Sequence, residues 1–236
     1  MERLSILILI LLFVVLLLGF RKSISLFIVK WIYGEYSKKF VLKYKKLTRR
    51  KPHPYCFKDD FYYHILSISK AVNCGIQYKT DKVFDFDHLN FDKNFKQNLS
   101  ENGKPDCFTL SEDPGVDLKV VGYKSRMFHS NEKTLLYHCN DIFFMGEFVF
   151  TSLADNSSEL LIDMLKDQYH PEIKHAKNFT ISDPKGNYLF FTDTGFFLSL
   201  KFFNKNHSFI EKTLNKFGSN KKDNIPLEGL GQAICD

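Results

Sequence analysis

The chain contains no GxSxG elbow, no Walker phosphate loop and no GxGxxG turn, which removes the readily legible hydrolase, NTPase and dinucleotide-binding classes. Cysteine is sparse and odd in number: Cys56, Cys74, Cys107, Cys139 and Cys235, with no CxxC spacing. A disulfide-stapled framework is not expected, because a body of this size can be held by its core and one thiol would be left over. The cysteines read as mostly buried free thiols in a reducing compartment. Charge is absent from residues 4 to 20, LSILILILLFVVLLLGF.

As a helix that run spans roughly 26 Å at about 1.5 Å per residue, close to a hydrocarbon core of about 30 Å. A cleavable signal peptide competes, but it wants a basic leader and small residues before the cut. Here the leader is Met-Glu-Arg, and Gly19 is the only small residue at the exit LLLGFRK. Residues 1–20 are therefore read as an uncleaved, single-pass signal-anchor.

Residues 21–51 carry eleven Lys or Arg against Glu35 alone, or +10, whereas residues 52–236 carry 21 basic and 25 acidic residues, or −4. The basic pI thus belongs to a juxtamembrane segment. Leu26, Val29, Tyr33, Tyr36, Phe40, Tyr44 and Leu47 recur at spacings of three and four, within an arc of about 80° on a helix. The spacing predicts that the membrane helix continues as a basic amphipathic helix, with Lys38, Lys39, Lys43, Lys45, Lys46, Arg49, Arg50 and Lys51 facing anionic headgroups. Attachment to a span makes lipid the nearest polyanion, so nucleic acid is disfavoured. Arg21, Lys22 and Lys30 behind the span, against Arg3 before it, predict a body on the cytoplasmic side of the plasma (inner) membrane. The sequons at Asn98, Asn156, Asn178 and Asn206 pull the other way, but about one or two would arise by chance in so Asn- and Ser/Thr-rich a chain.

After Pro52 and Pro54 the pattern becomes α+β. Residues 58–72 read as a helix opened by Asp59 and Asp60 in preference to a buried strand, VFDFDHLNF from Val83 as a strand, and DKNFKQNLSEN as a helix stopped by Gly103 and Pro105. Strands follow over 107–110, in VDLKVVGYKSRMF, in TLLYHC and in IFFMGEFVF, with turns at Asp113-Pro114-Gly115, Ser130-Asn131 and Asn140-Asp141. A helix in LLIDMLKDQY, two or three strands from Asn178 to Phe203 and a helix ending at Gly218 complete a globular domain over 52–218. It is read as antiparallel sheet with helices on one face, in one piece or in halves 52–152 and 153–218, before a tail at 219–236.

Four patterns invite chemistry. Thr192-Asp193-Thr194-Gly195 resembles the DTG of aspartic proteases, but only one copy exists, and Phe196 stands where those enzymes place a small residue; a hairpin loop accounts for every residue. Asp85 and Asp87 share a strand face with His88 beyond, a candidate cation site, though acids facing water beside buried Phe84 and Phe86 are the commoner arrangement and the preferred reading. His138 and Cys139 are adjacent on a strand and point to opposite faces, which argues against a nucleophile–base pair. His170 and His175 are separated by Pro171 and cannot act as paired helix ligands; Cys107 with a distant His stays open. No cofactor is expected.

The expectation is a membrane-anchored, non-enzymatic protein-binding module, such as a bacterial immunity or inhibitor protein or an accessory subunit of an envelope complex. The alternatives are a tethered enzyme with metal at Asp85, Asp87 and His88, and a module that binds anionic lipids.

Overall fold

The computed structural model describes residues 2–56, 76–84, 86, 91, 93–111, 117–127, 130–151, 157–169, 172–173, 177–204, 206–208 and 210. It divides into two compact units, Met1–Pro54 and Tyr55–Asp236.

In the first unit, α1 (Glu2–Tyr33) holds the apolar run and continues past it. The expected unbroken helix to residue 51 is corrected at Gly34. That residue adopts φ +81°, open to glycine without a Cβ clash, and its N–H closes α1 on the Lys30 carbonyl at 2.9 Å. Ser37 then caps α2 (Lys38–Thr48), its hydroxyl accepting the Phe40 N–H at 3.2 Å. The expected apolar stripe divides between the two helices: Leu26 and Val29 on α1 and Tyr44 and Leu47 on α2 are half-buried, and Phe40 is buried. The Lys39 ammonium sits 4.1 Å from the Tyr33 ring centroid. Among the residues whose side chains are described, no helix is long and apolar enough to cross a membrane; in α1 these begin at Leu18, past most of the run 4–20.

The second unit is α+β. Its eight strands are β1 (Ile76–Lys79), β2 (Cys107–Leu110), β3 (Leu118–Met127), β4 (Ser130–Cys139), β5 (Ile142–Thr151), β6 (Asn178–Ser182), β7 (Asn187–Asp193) and β8 (Phe197–Asn204). They form one sheet in the order β1-β6-β7-β8-β5-β4-β3-β2, so the two tentative halves share a sheet through the β5–β8 pairing. It is mixed rather than wholly antiparallel, since β1 pairs parallel to β6. The sequence reading did not contain β1: IQYK is short, and none of its side chains is fully buried. The strand expected from Val83 is also absent among the described residues there, where Phe86 makes only a bridge.

The turn expected at Ser130-Asn131 is corrected: both residues belong to β4 and pair with Met127 and Arg126 of β3. The β4–β5 connection is the two-residue loop Asn140-Asp141, as expected, with φ values of 51° and 66°, which suits the right-handed twist of its strands. Helix α3 (Phe95–Asn102) begins with a capping box: Asn94 Oδ1 accepts the Gln97 N–H at 2.9 Å, and Gln97 Oε1 accepts the Asn94 N–H at 3.0 Å. Gly103 ends it as expected. Helix α4 (Ser157–Tyr169) buries Leu161, Ile162, Leu165 and Tyr169.

Both sheet faces are covered. On one, Phe86 lies against Phe143, Phe148 and Phe202, and Phe84 meets Tyr169 of α4 edge-on. Phe95 of α3 packs on Phe108 and His138 on that same face. The other face holds Leu118, Val120, Leu135, Tyr137, Met145 and Phe203, with Cys56 and Ile210 against them. The helix expected over 58–72, the turn expected at Asp113-Pro114-Gly115, most of the last helix and the tail 219–236 lie outside the described residues.

Candidate functional site

β5 and β8 are apolar strands with one charged residue each, Glu147 and Lys201. Antiparallel register sets the two directly opposite, and Val149 opposite Ser199. Since residues two apart share a face, Ser199, Lys201 and Glu147 converge there with Tyr137. Lys201 Nζ lies 3.1 Å from Glu147 Oε1, with both side chains at most 5% exposed. Ser199 Oγ donates to the same oxygen at 2.6 Å, Tyr137 Oη donates to Oε2 at 2.6 Å, and Lys201 Nζ donates to Ser199 Oγ at 2.7 Å. Burial pushes the Tyr137 hydroxyl well above its ordinary pKa, and the Glu147 carboxylate reinforces this, so the phenol keeps its proton and donates.

A serine beside a lysine raises the question of a nucleophile and its base. A base must accept the serine proton. Here that proton is directed at Glu147, while Lys201 is the donor to Ser199 and is matched by the carboxylate. The cluster is a charge-and-hydrogen-bond network joining β4, β5 and β8, which satisfies groups that would be costly to bury alone. Sequence reading missed it, although a single charge inside each of two phenylalanine-rich strands was the available signal.

On the opposite face, His138 is fully buried, with Nε2 2.8 Å from Asn98 Nδ2. Burial lowers its pKa to about 3, against a weaker pull upward from Asp141, so the ring is neutral. Cys139 joins the other face, which separates it from His138 as expected. Asn98 is fully buried and unavailable as a glycan acceptor in the folded chain.

Asp193 closes a turn. Its Oδ1 accepts the Gly195 N–H at 2.8 Å, Thr194 Oγ1 accepts the N–H groups of Phe196 and Phe197 at 3.3 and 3.2 Å, and Gly195 takes φ +77°. The resemblance to a protease motif is a β7–β8 hairpin loop. What the loop presents is Phe196, 89% exposed on this ordered tip.

Asp85, Asp87 and His88 lie outside the described residues, as do His170 and His175. Among the described residues no three metal-ligating side chains come together. Of the expected lipid-facing set, Lys39, Lys45, Lys46, Arg49, Arg50 and Lys51 are exposed, while Lys38 and Lys43 are half-buried.

The free-thiol expectation is corrected for one pair. Cys56 and Cys107 form a disulfide with Cα atoms 5.0 Å apart, and Cys139 is a buried cysteine outside that bridge. Their separation of 51 residues hid the pairing from the sequence. The bridge removes Cys107 as a nucleophile and fixes the start of the second unit to β2, where Thr109 Oγ1 also accepts the Cys56 N–H at 2.9 Å. Lys133 Nζ donates to the Cys56 carbonyl; burial lowers its pKa, with Glu147 opposing that shift. The chain matches no protein-family profile, no curated protein and no solved structure.

Proposed function

We propose that the chain is a single-pass membrane protein whose body binds another protein and catalyses no reaction. The observation that carries the binding role is Phe196. A large aromatic ring is held almost wholly in water by a loop whose backbone is already fixed by Asp193 and Thr194. Ordering such a tip before contact lowers the entropic cost of association, and aromatic anchors dominate protein interfaces. Leu160 and Met164, exposed at i and i+4 on α4, add a second apolar pair. An inhibitor or immunity protein held at the membrane, or an accessory subunit of an envelope complex, is the role that fits.

The basic residues behind the run 4–20 support a body on the cytoplasmic side. The Cys56–Cys107 bridge favours the opposite reading, a body in an oxidising compartment. Alkylation of intact cells with a bulky maleimide, before and after reduction, separates the two. The exposed charges of α2 support a contribution from anionic lipid.

The binding role is tested with a photo-reactive residue at position 196 in membranes from the native host. The expected result is one discrete adduct with another protein, absent when the photo-reactive residue is placed instead at exposed Lys185. Adducts with lipid alone, or none, would contradict it.

A further inference from the structure

α1 does not end where its uncharged run ends. From Phe20 onward the apolar side chains of the helix differ in exposure, and Ile32 and Tyr33 at its end are exposed as well. Leu26 and Val29 are half-buried, whereas Phe20, Ile24, Phe27, Ile28 and Trp31 are exposed, Trp31 at 80%. At about 100° per residue those five fall within an arc of roughly 100°, on the side of the helix opposite Leu26 and Val29. Ile6, Leu9, Ile10, Phe13 and Leu17 of the run share that arc, which holds no charge from Ile6 to Trp31. Arg21, Lys22 and Lys30 all fall outside it.

We propose that this stripe is a lipid-facing surface, and that α1 stays in contact with the membrane along one face as far as Trp31. The proposal rests on the membrane-anchored reading of residues 4–20. The arc from Ile6 to Trp31 is roughly 38 Å long at about 1.5 Å per residue. The hydrocarbon core is about 30 Å thick, and about 40–45 Å with its headgroup regions. A helix spanning from its N-terminal end therefore brings Trp31 to the headgroup level, where tryptophan is enriched. The off-arc basic side chains can extend to the phosphates while their stems lie on the apolar surface, and the +10 charge of residues 21–51 complements anionic headgroups. A second copy of the chain is the other possible occupant. Continuity with a run that is apolar on every side favours lipid, because a helix-pairing seam is a narrow stripe with polar flanks.

Trp31 is the only tryptophan and reports its own surroundings. The full chain is reconstituted into anionic phosphatidylcholine–phosphatidylglycerol vesicles, with Trp31→Phe as the blank. The expected result is blue-shifted emission, several-fold weaker quenching by acrylamide than for free tryptophan, and stronger quenching by lipids brominated near the headgroup than by lipids brominated near the chain end. Emission as in water, with the chain still carbonate-resistant, overturns this inference and leaves the anchor standing. Protection from acrylamide without quenching by any brominated lipid assigns the stripe to a second copy and also overturns it. Release of the chain by carbonate overturns both readings.

Discussion

Glu147 and Lys201 face each other across β5 and β8, 3.1 Å apart and almost completely removed from water. Breaking one side of such a pair leaves a buried charge unmatched, at a cost of about 3–5 kcal/mol, whereas replacing both with apolar residues costs much less. Lys201→Met and Glu147→Gln should each lower the denaturant midpoint of the full chain in detergent strongly. Glu147→Gln with Lys201→Met should recover much of the loss. Additive losses in that cycle would show that the two residues do not interact.

Gly146 lies under the ring of Phe86. A Cβ at position 146 would come within 2.3 Å of that ring, so Gly146→Ala must displace a side chain packed on Phe148 and Phe202. Overpacking of this kind costs about 1–3 kcal/mol. Adding Phe86→Leu should return part of the loss, whereas destabilisation untouched by the second change would place the strain elsewhere.

His138 sets an acid-side dependence. Its folded pKa of about 3 lies below the ordinary 6.5, so above pH 6.5 the ring is neutral in both states and contributes no slope. As pH falls through 6.5 the unfolded chain takes up a proton that the folded chain refuses, and stability declines until about pH 3. Between pH 7.5 and pH 5 this amounts to about 2 kcal/mol. The wild type should lose that much more than His138→Gln; equal losses would mean that the ring is not held neutral.

The Cys56–Cys107 bridge closes a loop of 51 residues, and a cross-link of that length is worth about 4 kcal/mol in the loop-entropy account. Reductant should lower the unfolding midpoint of the wild type and leave Cys107→Ser unmoved. A wild type indifferent to reductant, with two free thiols found on titration, would contradict the bridge.

Local signals were legible in the sequence and long-range ones were not. The helix stop at Gly103 and the Asn140-Asp141 turn could be read because their partners are neighbours in the chain, whereas the cap at Asn94 was missed inside a segment read as helix from its first residue. β1 escaped because its partner β6 begins about a hundred residues later and IQYK has no alternating apolar face. The break at Gly34 was hidden by a stripe whose spacing runs straight across it, although a glycine followed within four residues by a capping serine was the available mark. The Ser199–Lys201–Glu147 network depends on β5 pairing with β8, and its serine and glutamate stand 52 residues apart, so the lone charges were visible but their meeting was not. Reading Asp193 as a turn succeeded because its signals are local: a single DTG copy, Phe196 in place of a small residue, and Gly195 between two phenylalanine-rich strands.

The central claim is that the first helix remains in the chain and holds it in the bilayer. Alkaline carbonate extraction of membranes that contain the full chain tests it most directly, with a Leu9→Arg, Leu12→Arg variant in parallel. Each arginine at the centre of a span costs about 2.5–3.5 kcal/mol of insertion. The expected outcome is full-length wild type in the pellet and the variant in the supernatant; wild type released alongside the variant would contradict the account.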